Sequence, residues 1–379
     1  MEKQLFQYLF LAFFAFLTGY VFLIRASFYD EDGLPRQQNQ SMIRVIGENL
    51  AGDYAFFRML ERKDAPQDAV RPEKISAFIK DTMHVDGRFR SFASPMKAFA
   101  AVPFLHLPYG AFCDTWTAWG LVLFGFALYT LFALKKTLLM MFAFPAALLS
   151  FGTGEWGVFI ASGVIFALTL TEDYPKAAAF FAGLCVVEPV AFIVLMVVFI
   201  ARGQKKAAFF AGVFGGTIVA LAFSRYGADA FGQTFLSALD VLSGQPCSLA
   251  SFPSTLICNG ASFPVAAFLH VVLAGAIVFY GVKLFQKPCP QAVQDAYACA
   301  GLCLISPFFG FGDYGVLYAG VAFLLRDIEA RGFLRWEKAF LSLVFFSIFP
   351  ENFWRQLTGS TLQMWLAAAL LMIAVRRSR

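Results

Sequence analysis

Charge is what this sequence has least of. Of its 379 residues only 15% are charged, and only three are histidine. About a quarter of a soluble domain is charged. So little charge against 59% apolar residues excludes a disordered chain, a coiled coil and a collagen. Seven cysteines in a chain of this length exclude a disulfide-framework miniprotein. Neither the cysteines nor the scattered His84, His106 and His270 fall at zinc-ligand spacing. No repeat of roughly 20–50 residues recurs, which argues against a solenoid. The first apolar run has no small-residue cleavage site after it, only Arg25-Ala26-Ser27-Phe28-Tyr29. It is therefore expected to be a retained span rather than a secretory signal. A water-soluble fold would have to expose large apolar patches to hold such a composition, so the bilayer is the natural solvent.

What is abundant is apolar runs of helical length, rich in the 48 Phe. They fall near 5–24, 96–112, 116–134, 137–153, 156–171, 177–201, 206–224, 263–284, 293–309, 314–325, 337–350 and 361–375. The reading is an all-α, polytopic membrane protein with about 10–12 transmembrane helices, forming a single integral membrane domain over 1–379. Several runs are shorter than the ~20 residues that cross a bilayer upright, so broken or re-entrant helices are expected.

Basic residues in short loops set the orientation. With the N-terminus inside, simple alternation puts five basic clusters in the cytoplasm: Glu2-Lys3, Arg202 to Lys206, Lys283 with Lys287, Arg326 to Lys338, and Arg376 to Arg379. Lys135-Lys136 then falls outside. A re-entrant helix between 96 and 153 would repair this and flip the region 150–175; alternation is the default expectation. Either way the segment 25–94 is exoplasmic and carries roughly 22 of the 55 formal charges. A charged segment of that length inside a compact membrane protein calls for a function. A second exoplasmic loop, about 225–262, holds Cys247 and Cys258. In an oxidising compartment these form a disulfide; elsewhere they are two free thiols. Cys185, Cys299 and Cys303 lie in apolar runs, where a small apolar residue is wanted.

The chemistry-bearing groups are mostly acidic. Asp30-Glu31-Asp32 follows the first run, and Asp30 and Asp32 are weak candidates for a divalent cation; an ordinary solvated turn is the alternative. Asp53 lies in Gly52-Asp53-Tyr54 beside Leu50, Tyr54, Phe57 and Leu60, which form one helical face lying on or near the membrane surface. A carboxylate against such a face suits a general base; the other reading is an exposed residue near a helix N-terminus. Glu155, Glu188 and Asp313 lie inside apolar runs, each close to Gly or Pro. There a broken helix faces protein or a wet cavity, unless each lies at a loop end. Arg25, Arg44, Arg88, Arg90, Lys97, Arg225 and Arg355 are the outer cations able to meet a phosphate. Arg225, ending a run before Tyr226-Gly227, is the best placed.

The order of these features resembles the family 87 glycosyltransferases, membrane enzymes of the GT-C type that include polyprenol-phosphate-mannose-dependent α-mannosyltransferases. Gly52-Asp53-Tyr54-Ala55-Phe56-Phe57 resembles that family's Asp-Phe-x-x-Tyr/Phe segment. Phe92-Ala93-Ser94-Pro95, Val102-Pro103-Phe104-Leu105 and Leu107-Pro108 resemble its Tyr-x-Pro…Pro-Leu-x-x-Leu-Pro run. Gly154-Glu155-Trp156-Gly157 stands at its Gly-Gln-x-Asn, and Ala182-Gly183-Leu184 with Glu188-Pro189 at its Ala-Gly-Leu…Lys-Pro. Ser306-Pro307 and Asp313-Tyr314 stand at its Ser-Pro…His-Tyr/His. Three positions depart: Gln, Lys and His of the pattern are here Glu155, Glu188 and Asp313.

The resemblance implies a GT-C-like fold and transfer of a hexose, mannose in the family, from a polyprenyl-phosphate donor to a lipid or glycan acceptor. Asp53 would be the base and the reaction would invert the anomeric centre. Tyr54, Glu155, Glu188, Arg225, Asp313 and Tyr314 would be the substrate-binding residues. No cofactor and no nucleic-acid partner are implied; the remaining partners are membrane lipids. The implied location is the bacterial inner membrane, with the site facing the periplasm. A transporter or flippase of a lipid-linked saccharide and a non-catalytic GT-C-like scaffold are the alternatives. A transporter would show paired halves, and no such duplication is visible.

Overall fold

A computed structural model describes residues 48–87, 89–91, 93–143, 156–244, 249, 251–308, 314–334, 336–347 and 362–379. The first span 5–24, Arg25, Asp30, Asp32, Arg44, Arg88, Glu155, Cys247, Asp313 and Arg355 lie outside the described residues.

Every regular element among the described residues is helical. The outer segment holds α1 (Glu48–Glu61), α2 (Pro66–Ala69) and α3 (Pro72–Met83). Next come α4 (Pro95–Ala101), α5 (Tyr109–Tyr129), α6 (Leu134–Ala143), α7 (Gly157–Thr169), α8 (Pro175–Leu184), α9 (Pro189–Ala201) and α10 (Lys205–Gly244). The rest are α11 (Phe252–Cys258), α12 (Phe263–Phe285), α13 (Gln291–Ile305), α14 (Gly315–Arg331), α15 (Glu337–Phe346) and α16 (Leu362–Arg377). Proline explains many of the starts. Pro66, Pro72, Pro95, Pro175, Pro189, Pro253 and Pro264 all stand in a first turn, where the missing N–H costs nothing.

Among the described residues three helices are long and apolar enough to cross a membrane by themselves: Tyr109–Tyr129, Lys205–Gly244 and Phe263–Phe285. The chain is an all-α polytopic membrane protein. α13 and α14 are buried along most of their length and pack on each other, with α16 and α7 around them. Glycine allows the closest approaches: a Cβ on Gly183 would strike Phe214, and one on Gly320 would strike Leu370 and Cys299. Without a hydrophobic force between helices in lipid, such small-residue contacts supply the packing. α10 and α12 turn Phe209, Phe223, Phe268, Val271 and Phe279 outward, as a lipid-facing surface does.

Two apolar runs are not single spans. Run 96–112 becomes the 7-residue α4 and a 3₁₀ turn, Val102–Phe104, because Pro103 and Pro108 interrupt any continuous helix. Run 177–201 is a hairpin of α8, a 3₁₀ turn (Cys185–Val187) and α9. Glu188 at its tip is extended, φ −119° and ψ 93°, as the residue before a proline must be. Both arms of the hairpin return to one face. Lys176 lies 5.5 Å from the Phe210 ring near the start of α10, while Arg202, following α9, pairs with Asp295 near the start of α13.

These breaks overturn simple alternation. Lys136 pairs with Glu329, so it shares a face with Arg326, Arg331 and Lys338 rather than opposing them. With α4 too short to cross, the chain crosses once between 95 and 134, and the re-entrant version of the topology holds. The described basic clusters thereby meet on one face. α1 to α3 lie on the other: Glu61 meets Arg225, which is twenty residues after Lys205 and thus about 30 Å along the helix. Leu50, Tyr54, Phe57 and Leu60 are all buried. They pack on protein, since α1 contacts α4 and α5, rather than lying on lipid. In the second outer loop Cys258 is disulfide-bonded; Cys113, Cys185, Cys289, Cys299 and Cys303 are in no disulfide.

Candidate functional site

The site is built where α1, the tip of the α8–α9 hairpin and α4 converge above the start of α7. Asp53 is 9% exposed, and the Ser91 hydroxyl donates to its Oδ1 at 2.7 Å. The neighbouring Gly52 makes this approach possible, because a Cβ there would overlap the Arg90 carbonyl oxygen at 1.8 Å. Ser91 Oγ also accepts the Ala93 N–H at 3.1 Å. Ser94 caps α4 by accepting the Lys97 N–H at 3.2 Å, and donates to the Val187 carbonyl at 3.3 Å. The stretch 89–94 thus stitches α1 to α4 and to the hairpin tip.

Lys97 and Glu188 meet there. Nζ to Oε2 is 3.4 Å, with side chains 8% and 16% exposed. The Lys97 ammonium also lies 5.9 Å from the centroid of the Trp156 ring. Phe57, one turn after Asp53 on the same helical face, meets that indole edge-on at 6.2 Å. Lys97, Glu188 and Trp156 therefore border one place, and Phe57 brings the helix that carries Asp53 against it. Beneath it an apolar slot of about 240 Å³ runs between α5, α7 and α8, lined by Phe104, Trp116, Trp156, Phe159, Phe181 and Val187. Trp119, also in its wall and 51% exposed, marks its opening towards lipid.

Other residues singled out from the sequence serve differently. Tyr54 donates to the Leu107 carbonyl at 3.0 Å and packs on Tyr109 and Phe112 at 5.4 and 5.0 Å. Burial raises its phenol above the ordinary range, so it is a neutral anchor of α1. Arg225 is committed to Glu61, with contacts of 2.9 and 2.5 Å, and Tyr226 donates to the same carboxylate at 2.6 Å. This ties α1 to α10 just before its kink at Gly227, where φ is +79°. The Arg225 hydrogen bonds hold the Glu61 carboxyl below its ordinary range. Tyr314 is fully buried at the start of α14. The next residue, Gly315, presses on Gly157, where a Cβ would come within 2.2 Å of backbone. The starts of α7 and α14 thus meet at Gly157 and Gly315. Sequence reasoning missed the pairing of Lys97 and the roles of Ser91, Trp116 and Trp156. Lys97 did carry a signal: it is a charge inside an apolar run, the criterion that picked out Glu188.

The family model for Glycosyltransferase family 87 matches residues 94–307, more than half of the chain and the whole stretch from the Ser94 cap to the end of α13. No curated protein and no solved structure matches.

Proposed function

The chain belongs to glycosyltransferase family 87, a membrane glycosyltransferase, and on that premise we propose that it moves a hexose, mannose in the first instance, from a polyprenyl-phosphate donor to a lipid or glycan acceptor. The observation that carries this reading is a buried carboxylate, Asp53, on the helix whose Phe57 packs against Trp156, a wall of an apolar slot that also reaches the exposed Trp119. A water-soluble nucleotide sugar has no use for such a slot; a lipid-linked sugar does.

In this reading Asp53 takes the proton of the acceptor hydroxyl. The acceptor oxygen attacks the anomeric carbon from the side opposite the phosphate. The bond from that carbon to the phosphate oxygen breaks, the electron pair leaves with the phosphate, and the centre inverts. Ser91 holds the Asp53 carboxylate in place through Oδ1. The dry walls around Trp156 strengthen each charge interaction inside them. Glu155, Asp313 and Tyr314 are assigned to the sugar side on the family resemblance. With Lys and Arg taken to mark the cytoplasmic face, this reading has Asp53 working on the exoplasmic side, the periplasm in a bacterial inner membrane.

The test is to incubate purified protein with labelled polyprenyl-phosphate sugars and candidate acceptors, and to separate the products. A labelled, anomerically inverted product is expected. Movement of the lipid across vesicles without any product would instead support a flippase.

A further inference from the structure

Lys97 is the one buried lysine among the described residues, and its ammonium lies 5.9 Å from the ring of Trp156, a wall of the lipid-open slot. A buried ion pair is a poor stabiliser: apolar residues of similar volume serve as well or better. Charge at membrane depth usually has a functional reason. Two groups in the slot wall point to a ligand. Trp116 and Trp156 are 3% and 4% exposed, both line the slot, and neither indole N–H has a hydrogen-bond partner. A buried donor left unsatisfied is costly, and an oxygen-rich group seated beside these indoles would satisfy it. The cation picked from the sequence for that task, Arg225, is held by Glu61 at the C-terminal end of α1.

We propose that Lys97 is the catalytic cation that holds the phosphate of the donor, with the lipid tail running down the α5–α7–α8 slot, and that Glu188 is its positioning residue. The geometry suits the roles. One Glu188 oxygen at 3.4 Å fixes the ammonium over the Trp156 ring, while Ser94 ties the hairpin tip that carries Glu188 to the cap of α4. The cation is thus in place before the phosphate arrives and needs little reorganisation as negative charge develops on the leaving oxygen. This inference rests on the lipid-phosphate donor proposed above.

Farnesyl phosphate and farnesol separate the phosphate from the tail. Their binding would be measured on the purified full chain in detergent, for wild type and for Lys97→Met, Lys97→Arg and Glu188→Gln, each checked by thermal unfolding. Wild type is expected to prefer farnesyl phosphate. Lys97→Met should lose roughly 100-fold of that preference, Lys97→Arg should keep most of it, and Glu188→Gln should fall between. Farnesol binding should stay constant throughout. An unchanged preference in Lys97→Met overturns the proposal, as does a parallel loss of farnesol, which marks a merely structural pair. If Lys97→Met does not fold, an unchanged preference in Glu188→Gln overturns it. Wild type that prefers farnesyl phosphate but transfers no sugar leaves the Lys97 site standing and removes the transferase reading instead.

Discussion

The two faces of this protein use charge in opposite ways. On the basic face, Arg377 is clamped between the buried carboxylates of Asp327 and Glu337, and Arg331 doubles on Asp327 at 2.7 and 2.9 Å. Arg202 binds Asp295 at 2.6 Å and Gln294 at 3.0 Å. These are forked guanidinium contacts that close helix ends onto one another. On the other face one such fork, Arg225 on Glu61, ties α1 to α10, but at the site itself a lysine ammonium meets Glu188 and a serine hydroxyl meets Asp53. A guanidinium fork with two partners is a fastener. An ammonium or a hydroxyl against a carboxylate lacks the fixed two-pronged geometry of a guanidinium, so a substrate can exchange or share it more easily. The difference separates the part of the molecule that holds the bundle from the part proposed to meet substrate.

The sharpest way to break that division is to exchange its consequences. Asp53→Asn should lower the transfer rate by roughly 10²–10⁴-fold, the range of a general base, with an unchanged melting temperature. Arg377→Met leaves the Glu337 carboxylate buried without its ionic partner and Asp327 with Arg331 alone. It should cost about 3–5 kcal/mol of stability in detergent unfolding, with the rate per folded molecule unchanged. A rate loss in folded Arg377→Met would erase the distinction. A smaller effect tests the joint between the two regions. Gly315→Ala places a methyl against the Gly157 backbone and should cost about 1–3 kcal/mol as overpacking. Its melting curve reads this directly, and wild-type melting would show the two segments sliding apart freely.

The smallest effect concerns the tether of α1. The Glu61 carboxyl is held below its ordinary range by Arg225. A depressed carboxyl contributes stability that is present above its unfolded pKa and is lost as pH falls through the folded one. Hydrogen exchange in α1 should therefore rise as pH drops below the ordinary carboxylate range, and should be insensitive to pH there in Glu61→Gln. The pair is partly exposed, so the change should be modest and should shrink in salt.

Much of the scaffold could be read without coordinates. The apolar runs, the prolines at helix starts and the charge-rich outer segment all follow from local chemistry, and Asp53 stood out by lying beside an apolar helical face. Re-entry at α4 was less visible because run 96–112 looks continuous by hydropathy; Pro103 and Pro108 break it, and hydropathy does not register them. The partner of Glu188 was not legible at all. Lys97 is ninety-one positions away, and only the serine cap at 94 and the turn at 185–187 bring the two together. Arg225 was chosen as a phosphate contact because it ends a run, and it meets Glu61 because α1 folds back over that end.

By itself the sequence determined the solvent of this protein, its helices and the sign of each face, because burial, helix starts and loop charge are set by neighbours along the chain. The tertiary structure alone decided which charges meet, since that depends on glycine-lined contacts such as Gly183 on Phe214 and Gly157 on Gly315. Such contacts bring distant segments within a few ångströms, and a periodicity of three or four residues carries no record of them.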